Sequence, residues 1–290
     1  MENALRRNFL REPDLSNARI SAISAFLSDA KKDGTSEKCI PASLFCKGRI
    51  IAKSDFALCG IIEADAIFKK RKVKAKWVLQ EGQLAKKWDT VCFVEGRAQD
   101  VLACERTALN FLSLLSGIAT KCKVASEKYG KWRIAATRKT LPGLSHSQKR
   151  AVALGGCLTH RLDLSDGILV KDNHIAAIMK GKKMRRTDAI GMAVRSFPKE
   201  AFVEVEVSSL QEALAAIRAG AKAILIDNLP PGKFAQAAKA ARKENGKIIL
   251  EASGGITLQN AGKYLKAGAD FVSTSELTMD VAPANLSLEI

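Results

Sequence analysis

The sequence predicts an α/β chain: a mixed α+β amino-terminal part followed by a parallel sheet covered by helices. Three observations predict it. After Lys131, short apolar runs alternate with helical stretches; the runs are Arg133–Ala136, Ile168–Val170, Phe202–Val207, Ala223–Ile226, Lys247–Leu250 and Asp270–Ser273. Strand–helix alternation of this kind builds parallel sheets. The same region carries a faint repeat. Leu210-Gln211-Glu212-Ala213 leads through Ala219-Gly220-Ala221 into one run, and Leu258-Gln259-Asn260-Ala261 through Ala267-Gly268-Ala269 into another. Repeated βα units of this size favour a closed barrel over an open sheet. Finally, the runs end in polar groups: Thr137, Arg138 and Lys139, then Lys171, Glu206, Asp227, and Ser253-Gly254-Gly255. Buried charge is costly unless paired or used, so these ends point to one shared pocket.

The amino-terminal part justifies its elements in order. Apolar positions Leu15, Ile20, Ile23, Phe26 and Leu27 recur at helical spacing, predicting a helix over Leu15 to Ala30 that Asp33-Gly34 stops. Arg49–Lys53 reads as a strand, Ile61–Phe68 as a helix, and Trp77–Leu79 and Thr90–Ala98 as strands. From Asp100, an expected N-cap, a long helix runs toward Ser126. The pattern changes after it, which places a domain boundary near this helix, taken at 108/109.

Composition excludes several classes. With 290 residues and 47% hydrophobic content, the chain has ample material for a core. No run reads as a membrane span, and Met1 to Leu10 is too polar for a secretory signal. The cysteines at 39, 46, 59, 92, 104, 122 and 157 form no Cys-x-x-Cys pair, and each reads as a small buried residue in a reducing cytoplasm. The net charge is +17, densest at Lys69–Lys76 and Lys180–Arg186. Neither basic run has interleaved aromatic residues, so both read as solvated faces rather than a specific nucleic-acid site.

The strand ends specify a chemistry. Arg and Lys suit carboxylates and phosphates, Arg by bidentate pairing and Lys as a point charge. Glu206 and Asp227 are hard oxygen ligands suited to Mg²⁺ or sugar hydroxyls. Ser253-Gly254-Gly255 lies between a strand and a helix, where backbone N–H groups can hold a phosphate. His160, beside Arg161, is a candidate anion contact. His174 reads as a helix cap after Asn173, and His146 has no supporting context.

The motif series Thr137-Arg138-Lys139-Thr140-x-Pro142-Gly143, Lys149-x-Ala151-Val152-x-x-Gly155-Gly156-x-x-x-His160-Arg161, Lys171-Asp172-Asn173-His174, Glu204-Val205-Glu206-Val207, Asp227-Asn228 and Glu251-x-Ser253-Gly254-Gly255 resembles the quinolinate phosphoribosyltransferase family. The resemblance implies an amino-terminal α/β sandwich over 1–108 and an incomplete, TIM-like α/β barrel over 109–275. A tail, 276–290, returns to the first domain. It implies Mg²⁺-dependent transfer from phosphoribosyl pyrophosphate to quinolinate with decarboxylation, a step of NAD synthesis. Arg138, His160 and Arg161 would then contact the quinolinate carboxylates, and Lys139 and Lys171 would lie between the two substrates. Glu206 and Asp227 would address Mg²⁺ and ribose hydroxyls. Thr137, Ser253, Gly254, Gly255, Thr274, Ser275 and Glu276 would complete the substrate contacts. Arg106 matches an arginine lent to a neighbouring subunit, implying a homodimer. Where the family pattern runs Gly-Ala-Leu-Thr after the final strand, this chain has Ser275-Glu276-Leu277-Thr278. Two other readings remain: a molybdenum-transport-associated relative of the same fold acting on another aromatic acid, and a basic nucleic-acid-binding protein supported by net charge.

Overall fold

The computed structural model describes residues 1–30 and 33–290. In chain order the first elements are α1 (Glu2–Phe9), α2 (Leu15–Asp29), α3 (Gly34–Cys39), β1 (Phe45–Ala52), β2 (Phe56–Ala57), α4 (Ile61–Lys70), β3 (Lys74–Trp77), β4 (Leu84–Ala85), β5 (Thr90–Arg97) and α5 (Ala98–Tyr129). There follow β6 (Ile134–Ala136), α6 (Ser145–Leu154), β7 (Ile168–Val170), α7 (Asp172–Lys182), α8 (Arg186–Arg195), β8 (Val203–Val207), α9 (Leu210–Ala219) and β9 (Ala223–Asp227). The last are α10 (Pro231–Glu244), β10 (Ile249–Ser253), α11 (Ala261–Lys266), β11 (Phe271–Thr274), α12 (Glu276–Met279) and β12 (Leu286–Glu289).

These elements form two compact units. One contains Met1–Arg11, Tyr129–Arg138 and His160–Glu276; the other contains Glu12–Lys128, Lys139–Thr159 and Leu277–Ile290. In the first, six parallel strands run in the order β6-β11-β10-β9-β8-β7. The edge strands β6 and β7 do not pair, so this is an incomplete barrel rather than the closed one that the repeat spacing favours. Gly220 and Gly268 end the two repeated helical stretches with φ near +109° and +107°, a conformation glycine adopts without a Cβ penalty.

In the second unit the antiparallel sheet runs β12-β1-β5-β3, and Arg49–Ala52 pair with Leu286–Glu289. The carboxyl-terminal tail thus supplies an edge strand beside β1. The expected cut at 108/109 falls inside α5, where Ala108 and Leu109 are both buried in a continuous helix. The first eleven residues also group with the parallel sheet rather than with the amino-terminal sandwich. The reason is packing: Leu5 and Phe9 of α1 are buried, and the Phe9 ring lies 4.6 Å from Phe271 and 5.5 Å from Phe202.

Several local expectations change. Leu15, Ile20 and Leu27 of α2 are exposed, and the packed face is Ala18, Ala22 and Phe26. Small residues let α2 lie close to α4, its main helical neighbour. The strand expected at Trp77–Leu79 lies earlier, at Lys74–Trp77, where Lys74 and Lys76 point to solvent from an edge strand. Asp100 is not an N-cap. It sits within α5, where its carboxylate meets Arg97 at 2.7 Å and Arg71 at 3.6 Å. By length and composition α5 could cross a membrane, contrary to the sequence reading, but 61% of its most apolar window is buried inside the protein. Cys39 is exposed and Cys46 half-buried, whereas the other five cysteines are buried.

Close approach of α5 to the turn after α6 makes one glycine indispensable. A Cβ on Gly155 would collide with Cys122 Cβ and lie 2.6 Å from the Ala119 carbonyl oxygen. Replacing Gly155 by Ala should destabilise the protein by about 1–3 kcal/mol, read as a lower urea midpoint at unchanged m-value. An unchanged midpoint would contradict this packing.

Candidate active site

The parallel sheet places its carboxyl ends side by side. Ser253 on β10 is level with Asp227 on β9, and Glu206 on β8 is level with Leu225. Lys171 follows β7 directly and is the N-cap of α7. Its backbone N–H donates to His174 Nδ1 at 3.0 Å, so His174 is a helix cap as the sequence indicates. Asp172, Glu206 and Asp227 line a cleft of about 370 Å³ together with Arg186, Val207, Ser208 and Glu212. Burial, then the neighbouring carboxylates of Asp172 and Asp227, push the Glu206 pKa up, while Lys171 opposes them. These acids share the lining of one cleft but are not among the side chains whose donor atoms gather within ligand distance of one another, which among the described residues are His160, Glu204 and Glu251.

A second group is cationic. Burial, then the adjacent Arg138 guanidinium, make the Arg161 charge less favourable than usual; Glu204, Asp166 and Asp163 offset this in part. Two guanidiniums close enough to repel are a natural anion site. The backbone here is anchored: Leu162 N–H donates to Asp166 Oδ2 at 2.9 Å, and Arg11 Nε pairs with Asp166 Oδ1 at 2.6 Å.

The third group is the turn after β10. Gly254 and Gly255 have φ of +83° and +60°, and a Cβ on Gly254 would lie 2.7 Å from the Asn228 backbone nitrogen. Asn228 N–H donates to the Ser253 carbonyl at 3.0 Å, which ties this turn to the end of β9. The neighbouring β11 contributes Thr274, whose hydroxyl donates to the Ile256 carbonyl at 2.6 Å. Thr137 N–H reaches the Thr274 carbonyl at 3.4 Å. Glu276 accepts the Leu258 N–H at 2.6 Å, so its carboxylate is engaged with the loop that follows the two glycines.

Of the residues singled out in sequence, Lys171, Glu206 and Asp227 meet around one set of acidic groups, Arg138 neighbours Arg161, and Ser253–Gly255 adjoin Asp227 and Thr274. Lys139 and Arg106 belong to the other unit, where both side chains are exposed. His160, expected to contact the acceptor, is engaged by neighbours of its own. It is buried, with φ +53°, and its Nε2 lies 2.9 Å from Glu251 Oε2 and 3.3 Å from Glu204 Oε2. Its Nδ1 accepts the Arg161 N–H at 2.9 Å. Both ring nitrogens are therefore committed inside the protein.

Sequence reasoning assigned no role to Asp172, Arg186 and Glu212, which line the cleft, or to Glu204 and Glu251, which hold the histidine. A signal for Glu204 was present: in Val-Glu-Val-Glu-Val, a period of two puts Glu204 on the same face as Glu206. Within the buried group, burial and the Glu251 carboxylate push Glu204 up to about 7, while Glu251 is held low, against burial, by His160. One proton on Glu204 shared toward Glu251 removes the repulsion between the two acids.

The chain is similar to known proteins over nearly its whole length. The model of the quinolinate phosphoribosyl transferase carboxyl-terminal domain matches residues 118–289, and that of its amino-terminal domain matches 33–116. The chain belongs to the quinolinate phosphoribosyltransferase family. It is 40% identical over 266 residues to a probable carboxylating nicotinate-nucleotide pyrophosphorylase of Methanocaldococcus jannaschii, covering 89% of this chain and 91% of that one. The human carboxylating nicotinate-nucleotide pyrophosphorylase is 36% identical over 243 residues, covering 82% and 80%. The solved nicotinate-nucleotide pyrophosphorylase of Francisella tularensis superposes with a TM-score of 0.83 at 29% identity, covering 95% and 96%.

The raised Glu204 pKa fixes a pH dependence. Its carboxyl binds a proton more tightly folded than unfolded, so between the unfolded pKa and about 7 the folded state carries the extra proton. This contribution to stability is full at low pH and is lost as pH rises to about 7. Urea midpoints should therefore fall less between pH 5 and pH 8 in Glu204→Gln than in the parent. Equal falls would remove Glu204 as the titrating group.

Proposed function

We propose that the chain transfers the phosphoribosyl group of phosphoribosyl pyrophosphate to quinolinate with loss of CO₂, giving nicotinate mononucleotide and pyrophosphate. The observation that carries this reading is the meeting of Asp172, Glu206 and Asp227 in one cleft at the ends of adjacent parallel strands, in a chain of this family. Arg138 and Arg161 supply paired guanidiniums for the acceptor's two carboxylates. Lys171 places positive charge where it opposes the negative charge that builds on departing pyrophosphate, and by the family's motif Lys139 has the same task. The glycine turn at Gly254 and Gly255 offers backbone N–H groups to the donor's phosphate.

The hard oxygens of Asp172, Glu206 and Asp227 fit Mg²⁺, whose binding there would relieve their mutual repulsion. Bound Mg²⁺ would supply neutralising charge to the pyrophosphate and ribose oxygens. The residues themselves do most of their work by positioning two polyanions face to face, which converts a bimolecular encounter into an oriented one. After transfer, the ring nitrogen carries the glycosidic bond and a positive charge. That charge stabilises the electron pair that departing CO₂ leaves on the adjacent ring carbon, which then takes up a proton to give nicotinate mononucleotide, so the chemistry calls for no protein nucleophile.

A homodimer belongs to the same proposal. Arg106 is exposed on α5, and its neighbour Thr107 donates to Asp29 Oδ2 of α2 at 2.9 Å. On α2, Ile20 is 64% exposed and Leu27 51%, an uncovered apolar stripe suited to a second copy. The free cysteines suit a reducing cytoplasm.

Mixed with quinolinate, phosphoribosyl pyrophosphate and Mg²⁺, the protein should form nicotinate mononucleotide, and nicotinate should not replace quinolinate. Lys171→Ala and Lys139→Ala should each abolish turnover; near-parent rates in both would refute the assignment. Arg161→Ala should raise KM for quinolinate roughly 10- to 100-fold, the equivalent of losing about 1.5–3 kcal/mol of charged hydrogen bonding. Chelating Mg²⁺ should stop product formation reversibly. By light scattering, Ile20→Asp with Leu27→Asp should convert dimers to monomers and Arg106→Ala should not; dimers in both would displace the interface from α2.

A further inference from the structure

Resting on that reading of the site, we infer that Glu204 and Glu251 are positioning residues for the acceptor: they fix the tautomer of His160 so that its Nδ1 holds the backbone of Arg161. The geometry sets out a chain of contacts from the interior of the parallel sheet to the anion site. Glu251 on β10 and Glu204 on β8 are buried, at 0% and 2% exposure, and both face His160 Nε2. An imidazole nitrogen within 2.9 Å of one carboxylate and 3.3 Å of another serves them best as an N–H donor. On the far side of the ring, Arg161 N–H points at Nδ1 from 2.9 Å, and a nitrogen accepts that bond only without a proton of its own. Burial lowers the His160 pKa, but Glu251 and Glu204 together outweigh it and raise the pKa to about 10. A second ring proton would nevertheless sit on Nδ1, directly against the Arg161 N–H; that contact decides for a neutral ring with its proton on Nε2.

The rest of the surroundings holds the ring in that pose. His160 N–H donates to the Phe9 carbonyl at 2.7 Å, and the Phe9 ring packs 5.2 Å from the imidazole. The left-handed backbone of His160 is unfavourable for a residue with a Cβ and persists only where neighbours over-determine it. The Ser273 hydroxyl donates to Ser253 Oγ at 3.1 Å, and Arg161 and Glu206 are the next charged groups to feel this cluster. The carboxylates thus act on the acceptor through two bonds and one ring, without touching substrate.

The test uses the full-length protein and has two readouts. Ring-¹⁵N histidine spectra need no turnover: in the parent at pH 7, His160 should show a protonated Nε2 and an unprotonated Nδ1. A doubly protonated ring, or a proton on Nδ1, would overturn the inference whether or not the variants fold. In steady-state kinetics, Glu251→Gln presents an amide that can donate to Nε2 and drive the ring proton to Nδ1, against the Arg161 N–H. Glu251→Gln should raise KM for quinolinate at least tenfold while KM for phosphoribosyl pyrophosphate stays within twofold. Equal changes in both constants, or no change with the ring proton still on Nε2, would reduce the glutamates to a structural role. If the parent forms no nicotinate mononucleotide, the functional reading fails, and the ring spectra still decide the tautomer.

Discussion

Register among the parallel strands is the constraint on which this site depends. Ser253 opposes Asp227, Thr274 opposes Ala136, and Glu206 opposes Leu225. Side chains alternate across a strand, so a slip of one residue would turn Glu206 outward and bring Val205 or Val207 to its place. The apolar partners make such a slip costly. Val203, Val205 and Val207 of β8 are buried, as are Ala223, Ile224 and Ile226 of β9. Packing of residues that never meet substrate thus holds the functional carboxylates to their level in the sheet.

The same alternation separates two electrostatic environments along one strand. Glu204 and Glu206 share a face of β8, yet Glu204 is enclosed beside His160 and Glu251, whereas Glu206 opens into the cleft beside Asp172 and Asp227. Enclosure favours a shared proton, because an isolated charge there has no water to solvate it. At the cleft, a counter-ion or substrate can reach the acids from solvent, so their repulsion is available for binding. Two chemically identical side chains, two residues apart, are given distinct tasks by depth alone.

Much of this was legible in the sequence, for identifiable reasons. Polar groups terminating apolar runs predicted Lys171, Glu206 and Asp227 as neighbours, because a parallel sheet aligns strand ends without any knowledge of loop paths. The strand at Ile168–Val170 was found at its full bounds, since nothing flanking it competes for the same period. What escaped was information carried by contacts distant in sequence. The place of α1 beside the parallel sheet rests on Phe9 meeting Phe202 and Phe271, a pairing that no local pattern records. Helix α2 misled for the opposite reason: its large apolar residues mimic a core-facing stripe, but close helix packing selected Ala18 and Ala22. The enclosure of His160 is equally beyond any local pattern, because its two acidic partners lie 44 and 91 residues further along the chain.

The acid at position 276 shows how the chain accommodates a departure from its family's pattern. Placed beside a phosphate site, a carboxylate would oppose the ligand at short range, where screening by salt is weak. Its position resolves the conflict locally: Glu276 accepts the Leu258 N–H, while its own N–H reaches the Thr274 hydroxyl at 3.1 Å. The charge is thereby bound to the loop after Gly254 and Gly255, and that loop is braced from a second side by the Asn260 amide on the Gly255 carbonyl at 3.0 Å. A side chain where the pattern has a small residue therefore acts as an internal brace on the turn. Backbone N–H groups fixed in this way would need little further ordering to meet an anion.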